Sequence, residues 1–298
     1  MWHCDSTDQT CNYANPEASC SLVGTTFYDV ASLGSGSGVA ATVGFGGIQA
    51  HSGAFDNEWT NMPGVMGMGY PGIAGVWTEN TVFTSWVAAG DLKAVFGMCI
   101  QGDNGHMTLG EVDSTYFTGS LVYTPVIYQA WYVLDMVDLA VSGHSVGLPS
   151  SYYNKIGPAG SQGTILDSGT NTFVIGGEAY TRVQAAMVAG CDSNPLHGVC
   201  DVAANATIFS GACFAMTEEQ IAAYPPVGVE LSNTGLLTIG GAEYLIPHPE
   251  KQGHYCMGIQ SSGPNGFTIL GNVFQSGFYV VFDQENNRLG FAPVQNCN

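Results

Sequence analysis

The chain has 298 residues with 24 acidic and 5 basic side chains, which gives a formal net charge of −19. Five scattered cations cannot neutralise a row of phosphates, so the composition excludes nucleic-acid binding and argues equally against an anionic membrane surface as a partner. Because 45% of the residues are apolar and 10% are charged, the chain can bury a substantial core, as about two domains or one large β-rich unit.

The predicted elements are mostly strands. Short runs rich in β-branched and aromatic residues alternate with clusters of Gly, Asn, Asp and Ser, which is typical of an all-β fold. In chain order, the pattern predicts a helix over 81–87, strands over 119–126 and 131–136, a helix over 178–188, and strands over 235–239 and 277–282. Both helices are short and are expected to cap a sheet.

The cysteines indicate disulfide bonds and not a metal site. The nine cysteines show no Cys-x-x-Cys spacing and the seven histidines no His-x-x-x-His spacing, so no zinc site is expected. Disulfides favour an oxidising compartment, and one Asn-x-Thr sequon, at Asn205, agrees with it. No apolar run approaches the ~18–20 residues of a membrane span. We expect a secreted protein or one of the endo-lysosomal or vacuolar lumen, although the first residues do not have the pattern of a signal peptide.

An apolar-apolar-Gly element occurs twice in the chain. It is found at Gly64-Val-Met-Gly67 and again, about two hundred residues later, at Thr268-Ile-Leu-Gly271. The two copies suggest a duplicated lobe. A chance match in a Gly-rich chain is the alternative.

An apolar strand over 164–166 leads directly into Asp167-Ser-Gly-Thr170. Asp, Ser and Gly are ordinary turn residues, so the alternative is an Asx turn without chemistry. The segments that follow favour a functional site. Ile269-Leu-Gly271 comes about a hundred residues later, and two apolar runs, 278–283 and 288–292, come after it.

This ordered set resembles pepsin-like aspartic proteases. The matching segments are 64–73, 107–126, 165–175, 267–283 and 287–294. The amino-acid sequence of 278–283 is similar to that of the memapsin-like branch of this family. The resemblance implies an all-β, bilobal fold with a few short helices, with an N-terminal lobe over 1–127 and a C-terminal lobe over 128–298.

The resemblance implies an endopeptidase that works at acid pH on protein or peptide substrates, as a monomer and without metal or organic cofactor. Two carboxylates share a proton and activate a water molecule, and Asp167 would be one of them. Gly169 would let the loop approach its partner, Ser168 would brace the paired loops, and Thr170 would hydrogen-bond near the carboxylate. Asn171 occupies a position that contacts substrate backbone in the family.

The first half of the chain contains no Asp-Thr-Gly or Asp-Ser-Gly. In the family, that motif precedes a Leu-Trp element, and Trp2 resembles its tryptophan. We therefore expect the first catalytic aspartate upstream of Met1 and an N-terminal lobe that is incomplete at its start. Asp5 is a poor substitute, because no apolar strand leads into it and Thr7 stands where the motif has Gly.

A second departure concerns the flap, the hairpin that closes over substrate in this family and presents a tyrosine. A gapless alignment places Leu33 at the tyrosine, followed by Gly34, Ser35 and Gly36, and these four are the candidate substrate-binding residues besides Asn171. Leu33 cannot donate the tyrosine's hydrogen bond, and Tyr28 is the alternative if the hairpin is shifted. A catalytically inactive peptide-binding or inhibitor-like relative is therefore the competing hypothesis.

Three disulfide pairs are expected. The resemblance implies Cys213 with Cys256, and two other pairs would each close a short loop, Cys191 with Cys200 and Cys4 with Cys11. The partners of Cys20, Cys99 and Cys297 stay open.

Overall fold

A computed structural model describes most of the chain. It covers residues 2–4, 10–15, 20–34, 38–52, 64–73, 80–90, 92–102, 104–154, 163–264 and 266–297, with side chains from Leu22 onward. Most of the regular structure in these residues is β-strand, with six α-helices, as the sequence pattern predicts. The contacts divide the chain into two compact units, Met1–Ala94 and Val95–Asn298.

The described strands of the first unit form one antiparallel sheet. Its strands, in spatial as well as chain order, are β1 (Trp2–Cys4), β2 (Thr10–Asn15), β3 (Cys20–Ser32) and β4 (Ala40–Ser52). β3 and β4 form a long hairpin whose turn begins at Leu33, where the Leu33 amide donates to the Val39 carbonyl at 3.1 Å. Gly34 and Gly38 adopt φ values of 61° and 75° beside that turn, which glycine reaches without steric cost.

Helix α1 (Val82–Ala88) confirms the helix predicted over 81–87. Thr81 caps it by accepting a hydrogen bond from the Thr84 amide at 3.3 Å. Phe83 and Trp86 are buried on one face of the helix. The Trp86 indole donates to the Ala31 carbonyl at 2.9 Å, which attaches the helix to β3.

The second unit holds the remaining strands and helices. Its strands are β5 (Val95–Gln101), β6 (Asn104–Leu109), β7 (Val122–Pro125), β8 (Tyr128–Gln129), β9 (Tyr132–Leu134), β10 (Met136–Val141), β11 (His144–Ser145), β12 (Thr164–Leu166), β13 (Phe173–Ile175), β14 (Phe214–Ala215), β15 (Val227–Leu231), β16 (Gly235–Ile239), β17 (Leu245–Pro247), β18 (His254–Met257), β19 (Ile259–Ser261), β20 (Ile269–Leu270), β21 (Phe278–Asp283) and β22 (Arg288–Pro293). Its helices are α2 (Ser150–Tyr153), α3 (Gly177–Ala189), α4 (Glu218–Ala222), α5 (Gly241–Tyr244) and α6 (Asn272–Gln275).

These strands form four sheets. The orders are β6-β5-β21-β22-β7, β19-β13-β20-β12-β9-β8, β11-β10-β15-β16 and β14-β18-β17. In the five-stranded sheet, all six residues of β21 are buried, and the strand pairs with β5 on one side and β22 on the other. In this sheet β5 and β7 pair with β21 and β22, the last two strands of the chain. The second compact unit therefore begins at Val95, the first residue of β5. The lobe boundary expected near residue 127 remains a prediction.

Helix α3 confirms the second predicted helix and extends it by one residue at each end. Ala179, Val183 and Met187 recur at a spacing of four and are buried, so one stripe of the helix faces the core. Thr217 and Gln220 form a reciprocal capping box at the start of α4, a second local signal that the sequence carries.

Three disulfides are present among the described side chains. Two are the expected pairs Cys213–Cys256 and Cys191–Cys200. The third joins Cys99 on β5 to Cys297, with the Cα atoms 5.7 Å apart and both side chains buried. The backbone register places Cys4 opposite Cys11, but the disulfide predicted there lies outside the described side chains.

Removing Cys99–Cys297 in the double variant C99A/C297A is expected to destabilise the fold more than removing Cys191–Cys200 in C191A/C200A. The first bond spans 198 residues of sequence and the second spans 9, so chain entropy predicts losses of about 5 and about 3 kcal/mol in the free energy of unfolding. Denaturant unfolding of both variants measures the difference. A larger loss for the short loop would contradict this order.

Candidate active site

The six-stranded sheet positions Asp167 at the end of a buried strand. All three residues of β12 are buried, between β20, which runs parallel to it, and β9, which runs antiparallel. The chain leaves this strand at Asp167, whose amide still donates to the Leu270 carbonyl at 3.2 Å. The backbone that carries the carboxylate is therefore held by the sheet.

Two local hydrogen bonds orient the Asp167 carboxylate. The Gly169 amide donates to Oδ1 at 2.9 Å, and the Thr170 hydroxyl donates to Oδ2 at 2.7 Å. Each carboxylate oxygen can accept about two hydrogen bonds, so both keep a free acceptor position. The side chain is half-buried. The arrangement is a fixed carboxylate that can accept a proton from a neighbouring group or share one with it.

The segment after β20 supports the Asp167 loop from behind. The Asn272 amide donates to the Thr170 carbonyl at 2.7 Å, and the Val273 amide donates to the Asn171 carbonyl at 3.0 Å. Gly271 lies so close to the loop that an added Cβ would collide with the carbonyl oxygens of Thr170 and Thr172. Glycine at 271 therefore lets the two segments touch.

β20 lies between β12 and β13, the two strands that the Asp167 loop connects. The Leu270 carbonyl in this inserted strand accepts from the Asp167 amide and also, at 3.1 Å, from the side-chain amide of Gln275, which is buried. The side-chain amide of Asn272 reaches the Asn171 side chain at 3.4 Å. The loop is thus tied to strand and helix by both main chain and side chain.

The predicted site residues fall into two groups. The segment Asp167–Asn171 forms one loop in the second unit, with Ser168 and Asn171 exposed. Leu33 and Gly34 lie at the turn of the β3–β4 hairpin in the first unit, while Ser35 and Gly36 lie outside the described residues. Tyr28, the alternative to Leu33, pairs with Gly44 within that hairpin and is 61% exposed.

The supporting residues Gly271, Asn272 and Val273 were not predicted as parts of the site. The order of the segments indicated that Ile269-Leu-Gly271 belongs with Asp167, but a parallel pairing across about a hundred residues leaves no local pattern. The sequence signal that could identify these supporting residues is Gly271 itself, since a glycine within or beside a strand often marks the close approach of another backbone.

Among the described residues, no three His, Cys, Asp or Glu side chains are grouped closely enough to hold a metal ion. In the same part of the chain, every helix falls short of the length and apolarity needed to cross a membrane.

Comparison with known proteins assigns the chain to a family. A sequence model described as eukaryotic aspartyl protease matches residues 7–294. An aspartic protease of Phaffia rhodozyma is 26% identical over 258 residues, covering 84% of this chain and 55% of that protein. Chymosin of Camelus dromedarius is 27% identical over 243 residues, covering 79% and 54%.

A beta-secretase of Strongylocentrotus purpuratus is 26% identical over 196 residues, covering 63% of this chain and 35% of that protein. The chain thus spans about half the length of the first two relatives and about a third of the last. The family match covers nearly the whole chain and includes the Asp167 loop and the segment that supports it. The chain therefore belongs to the eukaryotic aspartyl protease family.

Proposed function

We propose that this protein is an aspartic endopeptidase that hydrolyses peptide bonds in proteins at acid pH, with Asp167 as one of two catalytic carboxylates. The observation that carries the proposal is the Asp167 carboxylate itself, which is held by Gly169 and Thr170 at the end of a buried strand. The family supports the same activity, since relatives of this chain carry the names aspartic protease, chymosin and pepsin A.

The chemistry follows from two carboxylates at close range. They cannot both ionise easily, so the pair holds one proton between them. The ionised member takes a proton from water while the protonated member hydrogen-bonds the scissile carbonyl oxygen. The water oxygen bonds to the carbonyl carbon. When the C–N bond breaks, the leaving nitrogen takes the proton that the carboxylate had removed from water. Water attacks directly, so no acyl-enzyme forms.

Asp167 fits the role of a member of such a pair. Because Gly169 and Thr170 each occupy one acceptor position on the carboxylate, its orientation is fixed before substrate arrives. The free positions on both oxygens remain for water and for the partner carboxylate. The proposal takes that partner carboxylate from the family's first Asp motif.

The compartment is part of the proposal. Three disulfides among the described side chains support an oxidising environment, because cysteine thiols are kept reduced in the cytosol and disulfides rarely persist there. An extracellular or lumenal location also suits an enzyme that needs acid. A net charge of −19 becomes smaller as carboxylates protonate, so self-repulsion falls in acid.

A peptidolysis assay at about pH 4, with a denatured protein as substrate, tests the proposal. The 298-residue chain and the product of the gene's complete reading frame are compared, each with and without a statine-type peptide inhibitor. Cleavage that the inhibitor blocks, by either protein, supports the proposal. If neither protein cleaves, the endopeptidase proposal fails.

A peptide-binding protein without catalysis is the second candidate. One observation favours it: a gapless alignment places Leu33, which cannot donate a hydrogen bond from its side chain, at the flap tyrosine. Such a protein would hold an extended peptide by strand-like backbone hydrogen bonds. Saturable binding of the statine-type peptide with no cleavage by either protein would select this function.

Thr170→Val is expected to lower kcat by about 10- to 100-fold, because it removes a hydrogen bond to a charged carboxylate. Thr170→Ser keeps the hydroxyl and should restore most of the activity. Thr170 acts through Asp167, so it is a positioning residue, and KM should change much less than kcat. A loss of activity in the serine variant equal to that in the valine variant would contradict this role.

A further inference from the structure

Asn205 lies in a short exposed turn of the second unit. Residues 203–206 are all exposed, and the turn is closed by the Ala206 amide, which donates to the Ala203 carbonyl at 2.8 Å. Asn205-Ala-Thr207 is the single Asn-x-Ser/Thr sequence in the 298 residues. Such a sequence is the acceptor for N-linked oligosaccharide in secreted proteins.

The neighbouring structure holds this turn at the surface. The Ile208 amide donates to the Gly198 carbonyl at 2.8 Å, and the Tyr180 hydroxyl donates to the Phe209 carbonyl at 2.9 Å. The disulfides Cys191–Cys200 and Cys213–Cys256 flank the turn in sequence on either side. A bulky group on Asn205 would therefore extend from a fixed point into solvent.

The hydroxyl of Thr207 has no hydrogen-bond partner in the part of the chain that the structure describes. The residue is only 4% exposed, and its Oγ1 is buried without a hydrogen bond to any described group. Although Thr207 precedes the 3-10 helix Ile208–Ser210, its side chain makes no capping hydrogen bond. A buried hydroxyl without a partner destabilises a fold relative to an apolar group of the same shape. Packing alone would favour valine at this position.

We propose that Asn205 carries an N-linked glycan and that Thr207 serves its attachment. The Asn205 side-chain nitrogen forms a bond to the anomeric carbon of a lipid-linked oligosaccharyl pyrophosphate. The bond from that carbon to the pyrophosphate oxygen breaks, and the displaced nitrogen proton goes to solvent. The lipid pyrophosphate leaves with the electron pair. Because the Thr207 hydroxyl is buried in the folded chain, the transfer takes place before this turn folds.

This proposal goes beyond the endopeptidase activity and can be tested apart from it. Protein made in a eukaryotic secretory pathway is treated with an enzyme that removes N-glycans in heavy-oxygen water, and its peptides are mapped by mass. Asn205 is expected as heavy-oxygen-labelled Asp. Asn233 is an internal control, since it lies exposed in a turn but is followed two residues later by Gly235, and it should stay unlabelled.

Three variants sharpen the test. N205Q and T207V should remove the glycan, and T207S should keep it. The same peptide map reports Cys213–Cys256, which shows that the chain passed through an oxidising lumen. An unmodified Asn205 in protein whose Cys213–Cys256 bond has formed would overturn the proposal, and so would a glycan that persists in T207V.

A stability comparison tests the role of Thr207. T207V and N205Q are both expected to lack the glycan. The two variants then differ only in the buried hydroxyl of residue 207 and in the exposed amide side chain of residue 205. The thermal midpoint of T207V should equal or exceed that of N205Q. A lower midpoint in T207V would show that the hydroxyl supports the fold, which would overturn the role assigned to it.

Discussion

Asp167→Asn should lower kcat/KM for peptide hydrolysis by about a thousandfold or more while the fold remains intact. A general base or acid contributes about 10²–10⁴ to the rate, and a carboxylate pair that has lost one member cannot share a proton. Asparagine can keep the contact from the Gly169 amide, and its own amide can donate to the Thr170 hydroxyl. The thermal midpoint should therefore change little.

Asp113 offers a matched control for this variant. Its Oδ1 accepts from the Thr115 amide at 2.9 Å and from the Thr115 hydroxyl at 2.7 Å. Like Asp167, it therefore accepts one backbone amide and one threonine hydroxyl, although here both donors reach a single oxygen. Those contacts hold the pKa of the Asp113 carboxyl below its ordinary value. Asp113→Asn should leave peptide hydrolysis unchanged. Equal losses in the two variants would contradict the assignment of Asp167.

Gly271→Ala should destabilise the second unit by about 3 kcal/mol or more, because the added methyl group meets backbone and not a flexible side chain. Alanine can adopt the backbone angles of Gly271, φ −83° and ψ −165°. The loss of stability therefore comes from the steric contact of the methyl group and not from backbone strain. The Asp167 loop must move to relieve it, and peptide hydrolysis should be lost as well. Denaturant unfolding and the acid assay measure the two effects.

Gly67 is the control for this substitution, since it ends the first copy of the apolar-apolar-Gly element. No described atom lies within 4 Å of a Cβ built at Gly67. Gly67→Ala should be neutral or stabilise by about 0.4–1 kcal/mol, through the lower entropy of the unfolded chain. If Gly271→Ala is tolerated as well as Gly67→Ala, the conclusion that Gly271 packs closely against the Asp167 loop is wrong.

Local features of the fold could be predicted from the sequence. The helices at 82–88 and 177–189 follow from apolar residues at helical spacing, and strands such as β16 and β21 follow from β-branched and aromatic runs between turn residues. These signals are contained within a single element. The pairing Cys99–Cys297 could not be predicted, because it depends on how strands far apart in sequence come together.

The candidate site was predictable in part for the same reason. Asp167 stood out because an apolar strand leads into a turn sequence, and the resemblance supplied its role. The support from Gly271 and Asn272 depends on β20 entering between β12 and β13, a tertiary arrangement without a local pattern. Thr207 could be identified as part of a sequon, but only the structure shows that its hydroxyl is buried without a hydrogen bond to any described group.

The pH dependence of kcat/KM for peptide hydrolysis tests the central claim most directly. A pair of carboxylates that shares one proton predicts a bell-shaped profile with both limbs below about pH 6, and its disappearance in Asp167→Asn. A rate that rises through neutral pH, or an acid profile that Asp167→Asn leaves unchanged, would contradict the claim that Asp167 is a catalytic carboxylate.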